Sequence, residues 1–217
     1  MTHTDRPDPA ARLRHAFAAA DSSSRLQAAL AAGTDPEPDQ LTVLVDQCAL
    51  EPDFFVRDML TWALTRHPEH TVVPLLLAQL DRVEPQARSQ ALHTLSKIGD
   101  PATWSAITPS LLHDVDDEIA RAAWRAAVVL VPSGGEGALA SELAAEFGRG
   151  RRDVQLSLSR ALVALGERAA PAIDAAATSG EEAARTHAVA TGRLLEDPDE
   201  GFESAIFEAR RLVALGP

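Results

Sequence analysis

Residues Glu84–Pro101, EPQARSQALHTLSKIGDP, read as one amphipathic helix with its stop signal attached. Ala87, Ala91, Leu95 and Ile98 recur at three- and four-residue spacing, which lines them along one helical face. Gly99 follows as a C-terminal cap, and Pro101, with no N–H to donate, forbids continuation. A lone helix of this length is marginal in water, so its apolar face needs partners.

The chain supplies them by repetition. Helices of this type, called B here, are expected at 53–66, 84–98, 116–131, 151–165 and 181–195. Each follows a second type, A, at 40–50, 71–83, 102–114, 135–148 and 168–179. In register, Val56-Arg57 corresponds to Ala87-Arg88, 31 residues on; Ile119-Ala120 follows after 32, Val154-Gln155 after 35 and Ala184-Arg185 after 30. The Ile98-Gly99 ending recurs as Leu165-Gly166. A period near 30 with two helices per unit is the signature of an α-solenoid, in which stacked units share one core.

Around the array, residues 1–9 are polar and proline-containing and read as a disordered start. Residues 10–38 read as N-terminal capping helices, at 10–20 and 22–32. Asp21 caps the second of these and Gly33 ends it. The connector TDPEPD offers Asp39 as the cap of the next helix. The repeats fill 39–197, and a C-terminal capping helix closes 198–217.

Composition agrees with an all-α fold. Of 217 residues 46% are hydrophobic but only 4% aromatic, with no Tyr, and alanine is the best helix former. The net charge of −12 opposes long-range attraction to nucleic acid. The apolar run Ala126–Pro132 is far short of the ~20 residues a membrane span needs. The N-terminus carries no apolar leader, so a soluble cytoplasmic protein is expected. Cys48, the single cysteine, sits in the apolar run LTVLVDQCAL and reads as a buried, inert thiol. There is no HExxH, no Cys/His pairing, no Gly-x-Ser-x-Gly and no glycine-rich phosphate loop after a strand, so neither cofactor nor metal is expected.

The pattern of an acid, Val/Ala-Arg, Ala-Leu and then Leu/Ile-Gly resembles the HEAT repeat, in the short bacterial form of bilin lyases, over roughly 39–197. The resemblance implies a right-handed superhelix of about five to six helix pairs with B helices lining the concave side. Such repeats bind proteins in most cases, nucleic acid in some, and are rarely catalytic. Ala120 and Gln155 stand where the family's arginine belongs, so an arginine–acid ladder between repeats is expected to break there. The run from ALEPDFFVRDMLTWALTRHP to DPDEGFESAIFEARRLVALG also resembles a HEAT-like module associated with MerR-type bacterial regulators. The N-terminus shows no winged helix-turn-helix, which implies a partner- or effector-binding module without its own DNA reader.

Register nominates the side chains that leave the core. On the first B helix they include Phe55, Met59 and Trp62, large apolar residues at solvent-facing positions. Two readings stand: a binding surface, or a face covered by the N-terminal helices. His93 holds the same register on the template. Arg121, Arg125 and Arg160, with Lys97 and Arg66, either place positive charge along a groove for an acidic partner or pair with Glu118, Asp153 and their neighbours. Trp124 aligns with Leu92 and reads as core. The expected function is non-enzymatic: binding of a protein or small effector, in a regulatory or scaffolding role. The alternative is a DNA-repair enzyme resembling the HEAT-like alkylpurine DNA glycosylases, for which Asp58, Trp62 and Arg125 supply residue types but no matching motif.

Overall fold

The computed structural model describes residues 8–215, and every regular element among them is helical. The chain divides into two compact units at Asp100/Pro101. The first holds α1 (Pro9–Phe17), α2 (Ser22–Thr34), α3 (Leu41–Leu50), α4 (Phe54–Leu64), α5 (Glu69–Gln79) and α6 (Pro85–Ile98). The second holds α7 (Pro109–Leu112), α8 (Asp117–Leu130), α9 (Glu136–Ala144), α10 (Arg152–Ala164), α11 (Ala170–Thr178), α12 (Glu182–Glu196) and α13 (Phe202–Leu215). Successive helices pair and the pairs stack, which makes the fold an all-α solenoid.

The template helix behaves as its pattern dictates. Ala87, Ala91 and Leu95 are buried. Gly99 takes φ 74°, the left-handed conformation that a side chain resists, and its N–H bonds the Leu95 carbonyl at 2.9 Å.

Several expected boundaries shift for physical reasons. Most of the expected disordered start, 1–7, lies outside the described residues. Asp8 and Pro9 instead open α1, with the Asp8 carboxylate accepting from the Ala10 N–H at 3.2 Å. That helix ends at Phe17 rather than at 20. Gly33 does not end α2 but lies inside it. Asp39 does not cap α3. It falls in a 3-10 turn, Pro38–Gln40, and no side chain caps the helix that follows. The A helix expected at 102–114 splits into a 3-10 segment, Pro101–Ala106, and the one-turn α7, because Pro109 cannot donate and disfavours helix before it.

On α4 the arginine at the repeat position, Arg57, holds the preceding corner. Arg57 Nη1 donates to the carbonyls of Glu51 and Pro52 at 3.0 and 2.8 Å, where α3 leaves its last carbonyls unpaired. Where Ala120 and Gln155 replace the arginine, other side chains reach the corner. Gln155 donates weakly to the Gly148 and Gly150 carbonyls, at 3.4 Å each. At Ala120 the duty passes to Arg149, which reaches back to the Asp114 carbonyl and to Asp117 Oδ1. Arg25 completes the series. Its Nη1 donates to the Ala19 and Ala20 carbonyls at 3.0 Å each, six and five residues back, as Arg57 does. Helices α1 and α2 thus carry the same corner as α3 and α4.

Neighbouring B helices are stitched by hydroxyls at equivalent positions. Thr61 on α4 meets Thr94 on α6 at 3.4 Å, and Ser159 on α10 meets Thr191 on α12 at 2.7 Å. In both cases the residue four after the arginine position faces the residue six after it on the next B helix. Trp124 is fully buried on α8, its indole N–H donating to the Leu112 carbonyl at 2.8 Å. Cys48 is buried on the inner side of α3, and desolvation pushes its thiol up to about 12, which keeps it protonated and unreactive.

Candidate functional site

In the first unit α4 presents the apolar face. Asp53 starts the helix by accepting from the N–H groups of Phe55 and Val56 at 2.9 and 3.2 Å. Val56, Leu60, Ala63 and Leu64 then turn into the core. This leaves Phe55, Met59 and Trp62 at one-turn intervals on the other side.

The three are not equivalent. Phe55 is 71% exposed. Met59 is half-buried against the core. Trp62, 37% exposed, lies on Gly33 of α2: a Cβ built there would fall 2.3 Å from the indole ring. Arg66 stands one turn on, its guanidinium 6.0 Å from the ring centroid, at the limit of a cation–π contact. The N-terminal helices therefore cover one side of Trp62 and leave Phe55 open. Register alone missed Phe54, 64% exposed and edge-on to Phe55 with centroids 5.6 Å apart. The Phe-Phe doublet directly after the capping Asp53 is the signal that marks it. His93, on α6, is half-buried and engaged by neighbouring groups.

In the second unit the three arginines differ as well. Arg121 is clamped, with Nη1 bonding Glu118 Oε1 at 2.9 Å and Asp153 Oδ2 at 3.1 Å, which ties α8 to the start of α10. Arg125 makes no hydrogen bond or ion pair among the described residues, and desolvation, then the like charge of Arg121, lower its pKa. Arg125 is nonetheless exposed to solvent. Arg160 on α10 is exposed and likewise unpaired.

Two histidine sites are electrostatic opposites. His113 is held between two carboxylates, Nδ1 to Glu146 at 2.5 Å and Nε2 to Glu142 at 2.8 Å. These contacts, Glu146 foremost, raise its pKa. His187 is buried, and desolvation lowers it to about 4. Its Nδ1 accepts from the Gly148 N–H at 3.1 Å, so the neutral ring carries its proton on Nε2, 3.0 Å from both the Gln155 carbonyl and the Ser159 hydroxyl. A ring that points a donor at Ser159 cannot take that hydroxyl's proton, and both side chains are closed to solvent. The pair ties α10 to α12. No group of three metal-ligating side chains converges among the described residues. No helix there is long and apolar enough to cross a membrane.

The fold and these faces define an all-α solenoid built from helical hairpins. The family model of HEAT repeats matches residues 51–127, which contain α4, α6 and most of α8. Among solved structures, the crystal structure of an engineered protein, a target of the Northeast Structural Genomics Consortium, is similar at 18% identity and a TM-score of 0.48. The match covers 96% of this chain and 98% of that one. Among curated proteins none matches.

Proposed function

We propose that this chain is a non-enzymatic binding module of regulatory or scaffolding type that holds a protein partner against the solvent-facing sides of its B helices. The exposure of Phe55 beside Phe54, with Trp62 seated on Gly33 two turns further along, carries the reading. Exposed aromatic side chains held rigidly by their backbone are the usual anchors of protein interfaces. In the second unit, Arg125 and Arg160, which make no hydrogen bond or ion pair among the described residues, suit acidic groups by themselves. The match to HEAT repeats over residues 51–127 supports the reading, since such repeats generally mediate protein interactions.

Affinity capture with the full chain tests it, wild type beside a variant carrying Trp62→Ala and Arg125→Glu. The proposal expects the variant to lose the specific partners of the wild type. Retention of the same partners at the same yield contradicts the assignment of these residues.

A further inference from the structure

One face of α10 is neither core nor ordinary surface. Val154, Leu158, Ala161 and Leu162 pack inward. Leu156, Arg160, Val163 and Ala164, at i, i+4, i+7 and i+8, line a different side. A surface stripe at that spacing is normally polar. Here three of the four residues are apolar, and they form one wall of a half-open cleft of about 430 Å³. Leu194 of α12 and Phe202 of α13 close the opposite wall.

The cleft has a packed floor. Leu156 and Val163 rest on the small core that Leu194, Phe202 and Ile206 form where α12 meets α13. It is therefore a preformed apolar slot, and its volume falls within the roughly 300–1,000 Å³ typical of small-molecule sites.

Its electrostatics single out one charge. Glu200 also lines the cleft, but its carboxylate accepts from Arg193 Nε and Nη2 at 3.0 and 2.9 Å and from the Ser204 hydroxyl at 3.2 Å. That carboxylate is already matched. Arg160 has no hydrogen bond or ion pair among the described residues. In a protein of net charge −12, an arginine without an ion pair among the described residues beside an apolar slot is a specific arrangement. A guanidinium fork complements a carboxylate, and an apolar slot beside it complements a hydrocarbon chain.

We infer that this cleft binds an amphiphilic monocarboxylate of the fatty-acid type, its head group on Arg160 and its chain between α10 and the α12–α13 corner. The inference involves no residue of the first unit and does not depend on protein capture by Phe55 and Trp62.

Calorimetric titration of the full chain with decanoate, and with decyltrimethylammonium as the cationic counterpart, tests it. Saturable one-site binding of decanoate is expected, with none of the cation. Arg160→Gln should weaken decanoate binding by about tenfold or more, the scale of a lost charge-assisted pair. Ala164→Phe, which fills the slot from an exposed position, should abolish it. Both substitutions are at exposed sites, so the circular dichroism and thermal midpoint should match wild type. Absence of saturable decanoate binding overturns the inference. So does equal binding of the cation, or undiminished affinity in either variant. A protein that binds decanoate but captures no partner retains this inference and loses the protein-binding one, and the converse separates them equally.

Discussion

Arg25 and Glu51, 26 residues apart, are joined by two parallel hydrogen bonds, Nε to Oε2 at 2.9 Å and Nη2 to Oε1 at 2.8 Å. The Glu51 side chain is 0% exposed. It also accepts from Gln47 Nε2 at 3.0 Å and from the Asp53 N–H at 3.1 Å. A buried carboxylate is tolerated only when its oxygens are filled in this way. The same arginine caps its own corner at Ala19 and Ala20, so one side chain fixes the first helix pair and docks it on the second.

Glu51→Gln should therefore cost about 1.5–3 kcal/mol at neutral pH, the range for hydrogen bonds to a charged group, read from urea denaturation. Burial works against the charged form of Glu51, but Arg25, the Asp53 N–H and Gln47 outweigh it and lower the pKa below its ordinary 4.5. A depressed carboxylate pKa gives stability that is present above 4.5 and lost as pH falls through the folded value. The gap between wild type and variant should narrow on acidification. A gap that stays constant down to pH 2 would show that the charge of Glu51 contributes nothing.

Gly33→Ala is expected to destabilise although it lies inside α2. Helix propensity alone favours alanine by about 1 kcal/mol. The new Cβ, however, would meet the Trp62 ring at 2.3 Å and the Ala63 Cα at 2.8 Å. The second is backbone and cannot swing aside, and overpacking typically costs about 1–3 kcal/mol. Thermal unfolding followed by tryptophan fluorescence should show a lower midpoint and an altered Trp62 environment. A higher midpoint would mean that propensity wins and the contact is soft.

The two histidines should separate in an NMR titration. His113, flanked by Glu146 and Glu142, with Arg149 sharing Glu146 at 2.8 Å, should titrate above the ordinary 6.5. A raised histidine pKa gives stability that is fully present below 6.5 and lost as pH rises through the folded value. His113→Asn should flatten the decline of the thermal midpoint across that window. His187 should remain neutral down to about 4. A His113 signal that titrates below 6.5 would contradict the bridging geometry.

Much of the fold was legible because B helices repeat their burial pattern. Counted from the Val/Ala-Arg register, Ala91 corresponds to Leu60, Ala123, Leu158 and Ala188, and all five are buried. The A helices were blurred because prolines such as Pro109 cut them into short turns, which hydrophobic spacing cannot show. The corner of α1 and α2 was readable in principle, since Arg25 stands 32 residues before Arg57, but its alanine-rich surroundings lack the Val/Ala-Arg signature. The α4 face was found by register, yet which of its residues α2 covers depends on the approach at Gly33, a tertiary contact without a local pattern. The state of the arginines was equally out of reach. Arg121 and Arg160 look alike in sequence, and only packing gives one two carboxylates and leaves the other none among the described residues.

The central claim is that the exposed α4 face binds a protein partner, and the affinity of a captured partner for Phe55→Ala measures it most directly. Phe55 supports nothing inside the fold, so the substitution leaves stability unchanged and reads binding alone. An interface anchor is worth about 2 kcal/mol or more, so the dissociation constant should rise by about thirtyfold, whereas Val83→Ser, at an exposed apolar site outside α4, should leave it unchanged. An unchanged constant for Phe55→Ala, or an equal loss in Val83→Ser, contradicts the claim.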